Sequence, residues 1–340
     1  LRFISTTKDK RNAPRFDPPS LLECFLLLLH DIYIIGFSGL TLKVIGNTSL
    51  AENTAKWLGA DYYPVLERVF ADGELCPRFE TSGNPTMGQT AAIVMQQHRG
   101  ENINAYLMDY FLILNAAKDA GFSKIYACMP YFAYSRQHKQ YLPNQSVSAL
   151  TVARTLENLG ADAFITVTAH EPSSLPELFT IPSINLSAIG TLCEYVSKKP
   201  EFADAVIVAP DDGAEDMAKM IAGLLGGRKY TCFEKKRDVR TGEITMTPKN
   251  VELLKGKSAI IIDDMVSGGG TMVETARACS HHGATRIASL FTHPILCGNA
   301  LEKLKACCDD IIATNTIESE VSKADVSPLL AQALAKLEKK

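Results

Sequence analysis

The 340 residues contain no Cys-x-x-C pair, no G-x-x-x-x-G-K-[ST] loop, no Ser/His/Asp or Cys/His nucleophile system and no low-complexity linker. Each absence removes a class of protein. Without paired C-x-x-C spacings, the nine cysteines form neither a zinc ribbon nor a disulfide framework. An odd number, scattered except for Cys307-Cys308, fits free thiols in a reducing, cytoplasmic compartment. Without a Walker A sequence, a nucleotide site of that type is excluded. Positive charge is also short, since 35 Lys and Arg face 38 Asp and Glu for a net charge of −3, which argues against non-specific nucleic-acid binding. Long apolar runs are missing too. Leu21 to Leu40 is broken by Glu23, His30 and Asp31, and its pieces fall short of the roughly 20 residues that a bilayer span needs. No membrane role is expected, and residues 1–41 are set aside as an extension outside the fold. No internal repeat is evident.

What remains is a chain with 46% hydrophobic residues, long enough for a sizeable core and for two domains rather than one. From Thr41 onward, short β-rich runs alternate with helical patterns, the signature of an α/β fold with a parallel sheet. Strands are expected at Leu42–Ile45, Val65–Phe70, Ala91–Met95, Ile125–Met129, Phe164–Val167, Ala205–Ala209, Tyr230–Phe233, Ala259–Asp263, Arg286–Phe291 and Ile311–Ala313. Helices are expected at Ala51–Leu58, Ala105–Ala120, Val147–Leu159, Ala188–Lys198, Ala214–Leu225 and Thr271–His282. Ten strands in two sets of five suggest two similar domains. In such sheets ligands collect at the carboxyl ends of the strands, so the strand endings are where chemistry belongs.

The most pointed ending is Ser258 to Thr271, where an apolar run stops in Asp263-Asp264 and then in three glycines, Gly268, Gly269 and Gly270. An unbroken row of glycines needs a backbone reason, such as positive φ or close approach of a ligand. Successive N–H groups of Ser267 to Thr271, at the start of a helix near Met272, suit a phosphate. Asp263 and Asp264 would repel that phosphate and suit vicinal sugar hydroxyls or a metal. Phosphate and diol together make a ribose phosphate; a glycine-rich turn after a core strand is the other reading.

Other endings are polar as well. Phe70-Ala71-Asp72-Gly73-Glu74 reads as a turn. Tyr131 to His138 sets aromatics beside Arg136 and Gln137 and could hold a purine, or be core. His170 follows the strand ending at Val167 and reads as a metal or phosphate ligand, or as structural. Pro210-Asp211-Asp212-Gly213 reads as a cation site or a helix N-cap. Between Arg228 and Arg240, six basic residues against two acidic ones leave an excess of four, which calls for anions. Residues 240–243 beyond it could close as a lid.

Taken in order, Phe70 to Glu74, Tyr134-Ser135-Arg136-Gln137, His170, Pro210-Asp211, Lys235-Lys236-Arg237 and Asp263 to Thr271 resemble the motifs of ribose-phosphate pyrophosphokinases, from about Leu42 to near the end of the chain. The resemblance implies two phosphoribosyltransferase-like domains, each with a central, mainly parallel sheet flanked by helices. The implied ranges are 42–187 and 188–327, with helix 328–340 a candidate to join the first. It implies Mg2+, with ATP and ribose 5-phosphate as substrates. It also implies a homo-oligomer, dimer to hexamer, in which Phe70, Asp72 and Glu74 reach a neighbour's ATP. Arg136 and Gln137 would contact ATP, and His170 and Asp211 would hold metal. Lys235 and Arg237 would be catalytic, and Asp263, Asp264 and Ser267 to Thr271 would bind ribose 5-phosphate. His138 and Thr168-Ala169 depart from the family pattern. A type I phosphoribosyltransferase would share the glycine loop but need only one such domain, and a non-catalytic paralogue would be expected to lack Lys235 or Arg237.

Overall fold

The computed structural model describes residues 42–81, 83, 86–237 and 244–339, without the side chains of 234–237, 244–248 and 251. The expected extension, residues 1–41, and the expected lid, residues 240–243, lie outside the described residues.

The first half runs β1 (Leu42–Gly46), α1 (Ser49–Leu58), β2 (Asp61–Leu66), β3 (Arg78–Phe79), β4 (Thr90–Val94), β5 (Gln97–His98), α2 (Ile103–Asp119), β6 (Lys124–Cys128), α3 (Ser148–Asn158), β7 (Ala163–Val167), α4 (Leu175–Leu178) and β8 (Ser183–Leu186). The second runs α5 (Ile189–Ser197), β9 (Val206–Ala209), α6 (Glu215–Leu224), β10 (Tyr230–Arg237), β11 (Ile244–Pro248), β12 (Ser258–Met265), α7 (Gly270–His281), β13 (Arg286–His293), α8 (Ala300–Lys305), β14 (Asp310–Thr314), β15 (Ile317–Glu318), β16 (Ser322–Ala324) and α9 (Ser327–Glu338). Each half builds a seven-stranded sheet, in the order β3-β2-β1-β4-β6-β7-β8 and β11-β10-β9-β12-β13-β14-β16. The pairings are parallel except at the β2–β3 and β10–β11 edges.

The inner strands are buried on both faces and therefore read as continuous apolar runs. In β4, Ala91 and Ile93 enter one core layer while Ala92 and Val94 enter the opposite one. Helix α1 buries Leu50, Ala51, Thr54, Ala55 and Leu58, one stripe of a 3.6-residue repeat, and stops at Gly59, whose φ of 63° suits a left-handed cap. Helix α9 brings Leu329, Leu330 and Leu334 into the same core layer as α1, so the end of the chain packs on the first sheet. Each fully buried leucine of this kind contributes about 1.5–3 kcal/mol of transfer free energy.

Three expectations are corrected. The strand expected at Val65–Phe70 lies at Asp61–Leu66. After Leu66 the chain leaves the sheet for a hairpin closed by a Val69–Leu75 bridge, so its β-prone residues make a ribbon instead of a sheet strand. Two sets of five strands become two of seven, because short edge strands such as β3 and β16, two and three residues long, carry no readable period. The repeat that sequence comparison leaves invisible is plain in the sheets, since both halves follow one strand order.

The halves are fastened by a two-stranded parallel sheet pairing β5 with β15. Gln96 adds a hydrogen bond to the Asn315 carbonyl, and Arg99 reaches Glu320 at 3.4 Å. Among the described residues, no helix is long and apolar enough to cross a membrane, and eight cysteines are free.

Candidate active site

The carboxyl ends of both sheets meet across one cleft. Strand β12 runs to Met265, two residues past its expected end, so Asp263 and Asp264 leave from the strand itself. Gly269, at φ 73°, forms the N-cap of α7. Its carbonyl accepts from Val273 N at 3.0 Å. This first turn starts the helix at Gly270, one residue before the expected Thr271–His282.

Of the three glycines, only Gly269 needs its conformational freedom. A Cβ on Gly268 or Gly270 would meet no protein atom within 4 Å, so these two leave open space above the loop. The loop is braced from behind. Leu296 N donates to Val266 O at 2.8 Å and Cys297 N to Ser267 O at 3.0 Å. Among the described residues, no acceptor takes the N–H groups of Ser267, Gly268 or Gly269. A row of unclaimed N–H groups at a helix N-terminus is an anion cradle.

The carboxylate pair is electrostatically tense. Burial, and after it the charge of Asp264, pushes Asp263 up to about 8. Asp264 shifts the other way: burial raises it, but the hydrogen bond and charge of His170, together with Asp263 and His293, outweigh burial and hold the carboxyl below its ordinary range. His170 comes from the first half, with Nδ1 donating to Asp264 Oδ2 at 2.8 Å, and the same bond raises its pKa above the ordinary value. Asp211, at the end of β9 next to β12, accepts from Gly213 N at 3.0 Å as an N-cap. The N-cap reading is therefore realised, with the second oxygen of Asp211 to spare.

Two cavities share this cleft. One, of about 430 Å3, is lined by Arg136, His170, Asp211, Asp263, Asp264 and all of Ser267 to Thr271. The other, of about 520 Å3, is lined by Ile103, Tyr131, Tyr134, Arg136, Gln137, Tyr141 and His170. Arg136 and His170 line both, so the two spaces adjoin. Arg136 is placed by a short 3-10 turn, Ser135–Gln137, entered through Tyr134 at φ 66°.

Not every expected residue arrives. Phe70, Asp72 and Glu74 sit on the exposed hairpin tip and line neither cavity; Glu74 N bonds Asp72 Oδ1 at 3.1 Å, and Arg68 lies 4.7 Å over the Phe70 ring. The backbone of Lys235 and Arg237 belongs to β10, opposite Met246 and Ile244 of β11, and their side chains fall outside the described part. His170 and Asp211 line one cavity but are not drawn together as a compact metal cluster. Among the described residues, the group of donors within 4.8 Å of one another is Asp212, Glu215 and Cys232. There Lys249 Nζ lies 3.0 Å from Asp212 and 2.9 Å from Glu215 and supplies the positive charge itself. Sequence reasoning missed Ile103 and Tyr141 in the second cavity. An aromatic residue in a Pro- and Asn-containing loop was the available signal for Tyr141.

A sequence model described as the N-terminal domain of ribose phosphate pyrophosphokinase matches residues 41–160, and one described as the phosphoribosyl synthetase-associated domain matches residues 245–339. A ribose-phosphate pyrophosphokinase of Methanopyrus kandleri is 36% identical over 289 residues, covering 85% of this chain and 96% of that protein. One from Methanothermobacter thermautotrophicus is 34% identical over 288 residues, covering 84% and 96%. The crystal structure of phosphoribosylpyrophosphate synthetase from Mycobacterium smegmatis superposes with a TM-score of 0.75 at 27% identity, over 88% of this chain and 99% of that one.

Proposed function

The chain belongs to the ribose-phosphate pyrophosphokinase family and is an enzyme, and from that premise we propose that it transfers the β,γ-diphosphoryl group of Mg-ATP to the C1 hydroxyl of ribose 5-phosphate. The products are 5-phosphoribosyl 1-diphosphate and AMP. The observation that carries this reading is the sharing of Arg136 and His170 between two adjoining cavities, one with an anion cradle beside two carboxylates, the other with aromatic rings beside Gln137. A sugar phosphate in the first and a nucleotide in the second would meet at Arg136.

The roles follow from the chemistry of each group. The N–H groups of Ser267 to Thr271 hold the 5-phosphate, and Asp263 and Asp264 accept from the ribose hydroxyls. Arg136 and Gln137 orient the nucleotide. Lys235 and Arg237 leave β10, which neighbours β9 and its Asp211, and neutralise charge on the oxygens of the transferring group.

The donor chemistry suits Mg2+, with substrate phosphates supplying the part of its shell that these ungathered side chains do not. Two adjacent carboxylates, one driven toward its neutral form by burial and by the charge of the other, and a third at Asp211 offer the hard oxygen ligands that this ion takes. His170 would complete the set through Nε2, because Nδ1 is engaged. When bound, the ion supplies charge neutralisation to the phosphoryl oxygens. The exposed hairpin with Phe70, Asp72 and Glu74 is left to reach the nucleotide of a neighbouring copy, in a homo-oligomer between dimer and hexamer. Free thiols at the eight described cysteines support a cytoplasmic setting.

The test is AMP formation from ATP in the presence and absence of ribose 5-phosphate. Strict dependence on the sugar phosphate is expected. ATP turnover independent of it, or none at all with saturating Mg2+, would sink the assignment.

A further inference from the structure

His293 ends β13 and is 1% exposed. Both of its ring nitrogens are engaged. Its Nε2 lies 3.0 Å from the Thr168 carbonyl in the first half, and its Nδ1 lies 2.8 Å from Thr316 Oγ1. A carbonyl can only accept, so Nε2 carries the proton; Nδ1 faces the Thr316 hydroxyl, whose one hydrogen it shares with the Thr292 carbonyl 3.1 Å away. Its backbone carbonyl accepts from Val266 N at 3.0 Å, at the entrance to the glycine loop. Its ring lies 5.0 Å from that of Tyr131, in the wall of the second cavity.

The partner it holds is unusual. Thr168 has φ 45°, a left-handed conformation that a β-branched residue adopts only when its surroundings enforce it. Every polar group of Thr168 is engaged. The N–H donates to Leu186 O at 2.7 Å, the hydroxyl accepts from Ala188 N at 3.2 Å, and the carbonyl accepts from His293. Two residues further on, His170 meets Asp264 at 2.8 Å. Of the bonds that fix Thr168, the one from His293 comes from the opposite half.

We infer that His293 is a positioning residue: as the Nε2–H tautomer it clamps Thr168 in its left-handed turn and so presents His170 across the cleft to Asp264. The same residue ties down the glycine loop through its main chain, so both walls of the cleft refer to one buried point. This rests on the reading of His170 as a cation ligand, and the experiment separates the two.

Mn2+ dissociation constants are measured by EPR on the full-length protein and its variants, with KM for ribose 5-phosphate alongside. His293→Leu, which removes the donor, is expected to weaken Mn2+ about tenfold or more, the usual cost of losing an orienting partner. KM for ribose 5-phosphate should stay within about twofold, because the link to Val266 uses the retained main-chain carbonyl. His293→Gln keeps an N–H donor and should bind Mn2+ nearly as wild type. Adding Thr168→Gly to His293→Leu should return part of the loss, since glycine holds positive φ without a clamp. Wild-type affinity in His293→Leu would overturn the proposal, as would equal losses in the Leu and Gln variants with no recovery from Thr168→Gly. His170→Ala is the reference: an unchanged dissociation constant there overturns the ligand reading and the positioning role together, whereas a loss there with none in His293→Leu overturns the positioning role alone. Should His293→Leu fail to fold, the 15N spectrum of histidine-labelled wild type decides. The Nε2–H tautomer supports the proposal and Nδ1–H ends it.

Discussion

The two halves share a strand order but use the same position for different ends. In the second half the strand β12 finishes in Asp263-Asp264 and an open glycine loop, and α7 starts at once. Its counterpart β4 is followed by Gln96 to Glu101 before α2 begins. There several polar groups are engaged, most of them with the second half, while the side-chain oxygens of Gln96 and Gln97 stay buried without a partner. Gln96 binds Asn315, its N–H donates to Asn47 Oδ1 at 3.1 Å, Gln97 and His98 pair with β15, and Arg99 N donates to Glu318 O at 2.9 Å. One fold position thus forms an open glycine loop in one half and a clasp between the halves in the other. Function resides in the loops beyond the strand ends and in the groups those loops leave unclaimed.

The strongest way to break this comparison is at the neighbouring strand pair. Lys235→Ala, on β10, should lower kcat on the order of 10²–10³ while the protein stays folded, because a preorganised charge that meets the transition state is lost. Glu67→Ala, just past the end of the counterpart β2, should leave kcat within about twofold. Comparable losses in both variants, or neither, would show that the halves divide the chemistry differently.

A second contrast lies at matched positions near the strand ends, His293 and Tyr131, which follow Thr292 and Pro130, the residues whose carbonyls accept from Thr314 and Thr166. Burial holds His293 down to about 4, from an ordinary 6.5. Between those values the unfolded chain binds a proton that the folded chain refuses, so stability rises with pH across this window. It is complete above about 6.5 and lost as pH falls through about 4, with a maximum effect of roughly 3 kcal/mol. Denaturant titrations at several pH values should show this slope in wild type and a flatter one in His293→Met, which removes the titrating ring. Parallel slopes would place the acid sensitivity elsewhere.

The third contrast compares glycines. Gly268→Ala puts a Cβ into space that no protein atom fills, so it should raise KM for ribose 5-phosphate about tenfold, leave KM for ATP alone and not lower Tm. Gly100, in the matched loop, has φ 83°, and its alanine variant should instead lose about 1 kcal/mol of stability with both KM values unchanged. Gly268→Ala with an ordinary KM for ribose 5-phosphate would reduce the loop to a structural turn.

How much of this was legible beforehand depended on the length over which a pattern could build up. Five-residue apolar strands such as β4 and β7, and helices with a repeating stripe such as α1, announced themselves because burial on defined faces imposes a period. Two-residue β3 cannot show a period, and Glu67 to Phe70 carried β-prone residues for a hairpin rather than for the sheet. The glycine loop was readable because glycine is costly without a reason. The pairing of His170 with Asp264, 94 residues apart, was not, since it depends on how the halves face each other. The duplication was legible in the two sets of strands but not as a residue-by-residue repeat, because each half needs only apolar residues of suitable shape at matching positions, not the same ones.

The smallest expected effect tests the remaining difference, the long loop after β6. In the second half, the chain after β13 reaches α8 within a few residues, from His293 to Ala300. In the first half, residues 130–147 intervene before α3, and they supply three tyrosines to the second cavity. Two of these rings are committed. Tyr134 donates to Asn104 Oδ1 at 2.6 Å, and Tyr131 is nearly buried against His293. Tyr141 is 53% exposed. Its loop is nevertheless pinned, because Gln145 Oε1 accepts from the N–H groups of Tyr141 and Leu142 at 3.0 and 3.1 Å. Lys139 Nζ, 5.4 Å from the ring centroid, supports the ring as well. A fixed loop presenting an exposed aromatic ring suits stacking on a nucleotide base, and such contacts add about 0.5–1.5 kcal/mol. Tyr141→Ala should therefore raise KM for ATP about two- to tenfold, with kcat and KM for ribose 5-phosphate unchanged, while Tyr141→Phe stays at wild type. If Phe is as poor as Ala, the hydroxyl rather than the ring face is at work. If neither changes KM for ATP, the first-half loop contributes no base platform and the halves differ less than their cavities suggest.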